Sequence, residues 1–389
     1  MSRQFLQQCS KKHLVIHMDI NKTIIQIDQA GGRTMEDVLN SNVAANTFGL
    51  VDPTNKQWRP LYSVLDAPVK LPDTHSDSVI SYDVYIDSLY CAPPGMQQMP
   101  KTERDAVWKS VSNLRRQATR KFTFPGEVGE AYAQLVDLQR EHLKHGDGYH
   151  SIIPSFFHMV NTLSELNFHF TLIFRTFGSD LNTVLQEWSS FVLGTHACKP
   201  SGPVLQNLKE KYVEPLSGCL FRQANDIYIC DGPRVSLSSY IKPEFDELDS
   251  VKVLKHLQQV PGCTLAHKTS FTDLKDHLVE YFAQSNNVGG LVDYYPAWAQ
   301  AAEHRTGGKV FPVLQDDPNY YYVFFDDNIF IGEEHSIVDL READGAKSIV
   351  DVEVEKKYCI PVNALKAIVD NEYFLNELCA CLRLQGSQS

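Results

Sequence analysis

The sequence predicts a doubly wound α/β fold, a mainly parallel sheet with helices on both faces. Three observations carry that prediction. Short apolar runs occur near residues 13–20, 168–174 and 320–325; segments with helical spacing lie between them; and each run ends in polar residues. Runs that short and that apolar suit strands buried on both faces, and strands alternating with helices pair in parallel.

The first run, HLVIHMDI from His13 to Ile20, is rich in branched side chains and carries Asp19 near its end. The second, Phe168 to Phe174, follows a segment with Ile153, Phe156, Phe157, Val160 and Leu163 at helical spacing, so helix then strand is expected. The third, Tyr320 to Phe325, favours strand most strongly and runs into Asp326 and Asp327. A helix is expected over 271–283, with Phe271, Leu274, Leu278, Val279 and Phe282 on one face. In such sheets ligands bind beyond the carboxyl ends of the strands, where Asp19, Thr176, Asp326 and Asp327 would collect.

Two stretches break the rhythm. Residues 30–149 hold loop-like pieces at Asp52-Pro53, Ala92-Pro93-Pro94-Gly95 and Gly146-Asp147-Gly148, with a helical region after Thr102. Residues 196–264 contain Pro200 to Pro203 and a strand pair near Leu220 to Cys230. Both read as insertions into a sheet domain made of 1–29, 150–195 and 265–389. Only the Gly-Ser-Gln-Ser tail is expected to be disordered.

A chain of 389 residues with 43% apolar content can bury a substantial core. No apolar run approaches the roughly 18 residues that span a bilayer. The start, MSRQFLQQCSKKH, lacks the apolar stretch of a secretory signal. A cytoplasmic protein without membrane attachment is therefore expected. The nine cysteines include no CxxC, and Cys379 with Cys381 is the only close pair, which argues against a zinc ribbon or a disulfide framework. A formal charge of −12 argues against nucleic acid as a partner, whereas a small anionic substrate is compatible with a bound cation. Signatures of other enzyme classes are missing: GxGxxG, GxxxxGK with Ser or Thr, GxSxG and HExxH.

The residues at the strand ends suit one chemistry. Asp19 is a carboxylate that could attack phosphorus, although an acid after an apolar strand also serves as a helix cap or turn residue. Asp326 and Asp327, adjacent and close to another carboxylate, would repel unless a cation or proton intervened; the alternative is a solvated acidic turn. Lys309 follows Gly307-Gly308 and opens the apolar piece Val310 to Leu314, where an ammonium could neutralise a transferring phosphoryl group. A lone lysine is otherwise surface decoration. Thr176 could donate a hydrogen bond to a phosphate oxygen; Ser179 competes for that role and is equally suited to cap a helix with Asp180 after it.

In this order, Asp19-x-Asn21-x-Thr23, Thr176, Lys309 and Asp326-Asp327 resemble the four motifs of the haloacid dehalogenase superfamily. The resemblance covers about 11–29, 150–195 and 265–345. It implies that Asp19 is the nucleophile of a phosphatase or phosphotransferase working through an aspartyl phosphate. Thr23, Thr176, Ser179 and Lys309 would then hold the phosphoryl group. Asp19, the backbone carbonyl of Asn21, Asp326 and Asp327 would bind Mg²⁺. It further implies a cap domain of the C1 type over 30–149, and a small phosphorylated metabolite or a phosphoprotein as substrate. One position departs from the family pattern. Phosphatases of this superfamily usually carry an acid/base aspartate where this chain has Asn21, and an amide cannot move a proton, a loss of roughly 10²–10⁴-fold from that role. A catalytically silent relative that binds metal and phosphate, or a protein partner, is the second expectation.

Three further groups stand out. Lys109, Arg115, Arg116, Arg120 and Lys121 surround Trp108 and Phe122; they could draw phosphate in, or form a solvated helix face. His142, His145 and His150 match no common zinc spacing. His17 and the aromatic run Tyr320 to Phe325 are expected to be core.

Overall fold

The computed structural model describes residues 2–26, 32–66, 79–96, 99–200, 202–223, 225–235, 250–301, 303–343 and 347–386. Of the tail expected to be disordered, 387–389 lie outside these. The chain divides into two compact units, one of residues 1–25, 152–363 and 370–389, the other of 26–151 and 364–369.

The larger unit is built on strands β1 (His13–Asp19), β2 (Phe170–Thr176), β3 (Leu216–Gln223), β4 (Asp226–Asp231), β5 (Leu265–Thr269), β6 (Val288–Asp293), β7 (Lys309–Val313), β8 (Tyr320–Asp326), β9 (Val338–Glu342) and β10 (Cys359–Pro361). Eight form one sheet in the order β5-β4-β3-β6-β2-β1-β8-β10. The run from β3 to β10 is parallel throughout, and β4 joins the edge antiparallel. The strand pair expected near Leu220 to Cys230 thus extends the main sheet. A separate parallel pair, β7 with β9, carries Lys309 at its start.

Side chains alternate across the sheet, so β1 sends Val15, His17 and Asp19 to one face and Leu14, Ile16 and Met18 to the other. On the first face, Val15, Ile173, Leu291 and Phe324 pack with Phe311 and Leu340 of the strand pair and with Leu274, Leu278 and Phe282 of helix Phe271–Ala283. That helix occupies the predicted interval, and Ser270 caps it by accepting from the Asp273 amide. On the second face Phe174 meets Phe156 of helix Pro154–Glu165 and Trp188 of helix Leu181–Val192, while Phe325 meets Phe374 of helix Tyr373–Gly386. Both faces are covered, which explains why the central strands read as unbroken apolar runs.

The smaller unit contains helices Met35–Ala45, Tyr82–Leu89, Lys101–Thr119 and Ala133–Leu143 with a three-stranded antiparallel sheet whose central strand is Thr47–Val51. Its aromatic centre is Phe122, with Tyr82 at 4.5 Å and Trp58 at 6.0 Å between ring centroids. Gly129 passes so close that a Cβ there would stand 2.4 Å from the Phe122 ring. Residues 364–369, assigned to the sheet portion on sequence, form helix Ala364–Val369 and group with this unit.

Among the described residues, no helix is long and apolar enough to cross a membrane. All nine cysteines are free thiols. His145 and His150 stack at 4.8 Å beside an exposed two-residue hairpin, and no histidine belongs to a metal-competent group among the described residues.

Candidate active site

The register that aligns the strands also gathers the polar ends. Met18 pairs with Phe325 and Asp19 with Arg175, so the next residue of β8, Asp326, arrives beside Asp19 on the same face. Lys309 enters from the strand pair packed over that face. Its ammonium contacts Asp19 Oδ1 and stands 2.7 Å from Asp326 Oδ2. All three side chains are buried.

After β1 the chain turns tightly: the Ile24 and Ile25 amides both donate to the Ile20 carbonyl, and Lys22 adopts φ 61°. That left-handed conformation costs a side-chain-bearing residue about 1–2 kcal/mol. The turn is anchored on both sides. Thr23 Oγ1 donates to Asp19 Oδ2 at 2.8 Å and accepts from the Asp327 amide at 3.1 Å, while Lys22 Nζ lies 2.9 Å from Asp327 Oδ2. Each Asp19 oxygen is therefore held by one donor and keeps a second lone pair for another ligand.

Asp19, Asp326 and Asp327 offer carboxylate oxygens that all lie within 4.8 Å of one another. Three carboxylates against the two ammonium groups of Lys22 and Lys309 leave one negative charge in excess. Burial and the neighbouring Asp326 accordingly push the Asp19 carboxyl up to about 8, with Lys309 opposing. Burial raises Asp326 as well. Burial also disfavours the Lys309 ammonium, but Asp19 and Asp326 outweigh it and hold its pKa above the ordinary lysine value. A cluster of hard oxygen donors with surplus negative charge fits a divalent cation such as Mg²⁺ or Ca²⁺.

The other predicted residues form an adjoining chain of hydrogen bonds. The Gly178 amide donates to Thr176 Oγ1 at 2.8 Å, Thr176 Oγ1 donates to Asn21 Oδ1 at 3.2 Å, and Asn21 Nδ2 donates to Asp180 Oδ2 at 2.9 Å. A Cβ at Gly178 would press on this chain, standing 3.0 Å from Asp180 Oδ2 and 3.4 Å from Thr176 Oγ1. Ser179 is exposed in the turn, and the residue at the start of helix Leu181–Val192 is Asp180. Thr176 and Asn21 thus meet directly, whereas Ser179 stays outside this chain of contacts.

Sequence reasoning missed three participants. Asp180, buried and bonded to Asn21, was noted only as a neighbour of Ser179. Arg175, fully buried in β2, makes a two-pronged pair with Asp293 at 2.9 and 2.6 Å and donates to His17 Nδ1 at 2.8 Å. Burial and the Arg175 charge hold His17 neutral, consistent with its place as a core acceptor stacked on Phe324. Phe177 lays its ring 5.3 Å from the Lys309 ammonium. An arginine inside an apolar strand was the one available signal, because such a group needs a buried acid.

Compared with family models, curated proteins and solved structures, the chain matches none.

Proposed function

We propose that the chain is a Mg²⁺-dependent phosphatase or phosphotransferase of the haloacid dehalogenase type, acting on a small phosphorylated metabolite or a phosphoprotein. The observation that supports it most is the shared Lys309 ammonium, which joins Asp19 to Asp326 while Thr23 fixes the other Asp19 oxygen. A nucleophilic carboxylate needs that arrangement: fixed direction, a neighbouring positive charge, and little competing water.

In this reading Asp19 attacks phosphorus, the bond to the leaving oxygen breaks, and water later cleaves the aspartyl phosphate to free phosphate and the carboxylate. Lys309 carries charge relief for the transferring group, and Thr176 donates to one of its oxygens. Asp19, the carbonyl of residue 21, Asp326 and Asp327 would hold Mg²⁺, which when bound supplies further neutralisation of phosphoryl charge. Residue 21 cannot protonate the leaving oxygen. Asp180, which accepts from Asn21, is the carboxylate placed beside it.

The second reading, a silent relative that binds metal and a phosphate ligand or a protein partner, draws on one observation: both ends of the Asn21 amide are already engaged by Thr176 and Asp180. Hydrolysis of an aryl phosphate with and without Mg²⁺ separates the two. Turnover in the chain as given, abolished in Asp19→Ala, supports catalysis. Turnover that arises only after Asn21→Asp supports the silent relative, and turnover that survives Asp19→Ala removes Asp19 as nucleophile.

A further inference from the structure

The basic segment of the smaller unit has a shape that its sequence did not disclose. Asn113, Arg116, Gln117 and Arg120 recur at the spacing of one helix face. In the structure they line a concavity of about 110 Å³ together with Arg33 and Asp37. Gly32 completes the wall without a side chain, and a Cβ there would meet nothing within 4 Å. Arg115, on a different face, is directed elsewhere, to the Tyr90 carbonyl at 2.9 Å and to Asp87 at 3.3 Å.

Three guanidinium groups against one carboxylate give this lining an excess of two positive charges in a chain of net charge −12. Asp37 accepts from the Thr34 amide at 3.1 Å as half of a capping box, and Glu36 pairs with Arg140 at 2.7 Å. The lining also includes the start of helix Met35–Ala45, whose aligned peptide dipoles place positive potential at that end. Arginine forks and amide N–H groups are donors suited to tetrahedral oxyanions. The volume exceeds by several-fold the roughly 10–15 Å³ that one water requires.

We propose that this concavity is an oxyanion site that takes the phosphoryl group of a small phosphorylated molecule. The site belongs to the smaller unit and does not depend on what the Asp19 cluster of the larger unit does.

Inorganic pyrophosphate is the probe, titrated calorimetrically into the full chain in EDTA at constant ionic strength. Without divalent cations the acidic Asp19 cluster repels it. The expected result is saturable binding to one site, weakened at least about tenfold in Arg116→Gln/Arg120→Gln, which deletes two charge-assisted hydrogen-bond donors, and unchanged in Asp19→Ala. Glutamine preserves helix propensity, so the double variant should keep its circular dichroism. If it does not fold, Arg33→Gln, ahead of the helix, carries the same test. Absence of saturable binding, equal affinity in the arginine variant, or loss of binding in Asp19→Ala would each overturn the assignment.

Discussion

One ammonium shared by Asp19 and Asp326 makes the site energetically asymmetric at the level of single residues. Lys309→Met leaves two buried carboxylates without their cation and should destabilise the fold by about 3–5 kcal/mol, the cost of breaking a buried ion pair from one side. Removing a carboxylate together with the lysine should cost less than the sum of the single changes. Urea unfolding of Lys309→Met, Asp19→Asn and the double variant measures this, and strictly additive losses would show that the contact contributes nothing. The Asn21–Asp180 contact gives a second prediction. Asn21→Asp replaces a donor with a carboxylate within 2.9 Å of another, so one of the two must hold a proton. A stability loss of about 1–3 kcal/mol at neutral pH is expected, recovered when Asp180→Asn is added. If Asn21→Asp proves neutral, the amide is not held by Asp180.

At the scale of elements, a register places Asp19 and Asp326 side by side, and the same crowding sets a pH dependence. The unfolded Asp19 carboxyl loses its proton near 3.8, whereas the folded one keeps it up to about 8. The folded state then binds more protons between those values, so the stability this carboxyl contributes is full below 3.8 and falls as pH rises toward 8. Metal-free protein should therefore lose Tm relative to Asp19→Asn between about pH 5 and about pH 8. Mg²⁺ should raise Tm more at the alkaline end, because it binds the deprotonated cluster. Thermal melts of both chains in EDTA and in Mg²⁺ test this, and a Tm difference that stays flat with pH contradicts it. What was legible beforehand follows from the same packing. Strands β1 and β8 are covered on both faces and must be apolar throughout, and helix Phe271–Ala283 is covered on one and must be amphipathic. The strand pair near Leu220 to Cys230 was legible as strands but not as part of the main sheet, because β3 buries Ser217, Gly218 and Arg222, the last paired with Asp339 at 2.6 Å. Asp180 hid for another reason, since its proximity to Asn21 exists only in three dimensions.

For the whole molecule, the chain path makes the smaller unit removable in principle. Its two ends are tied within the larger unit, where Ile25 bridges Ile152 and the Ile153 amide donates to the Ile24 carbonyl at 2.9 Å. A short Gly/Ser loop can therefore replace residues 26–151 with little closure entropy, and the ten strands among the described residues of the larger unit would remain. One segment complicates the excision. Helix Ala364–Val369 belongs with the smaller unit, where it packs on helices Ala133–Leu143 and Met35–Ala45, and it buries Leu365 and Ile368 there. Excision alone should expose those two side chains and give a chain that self-associates. Adding Leu365→Gln and Ile368→Gln should yield a monomer that unfolds cooperatively in urea and keeps the far-ultraviolet signal of a mixed α/β protein. If the doubly substituted chain shows no cooperative transition, the sheet cannot stand without residues 26–151, and its continuous core is insufficient to fold it.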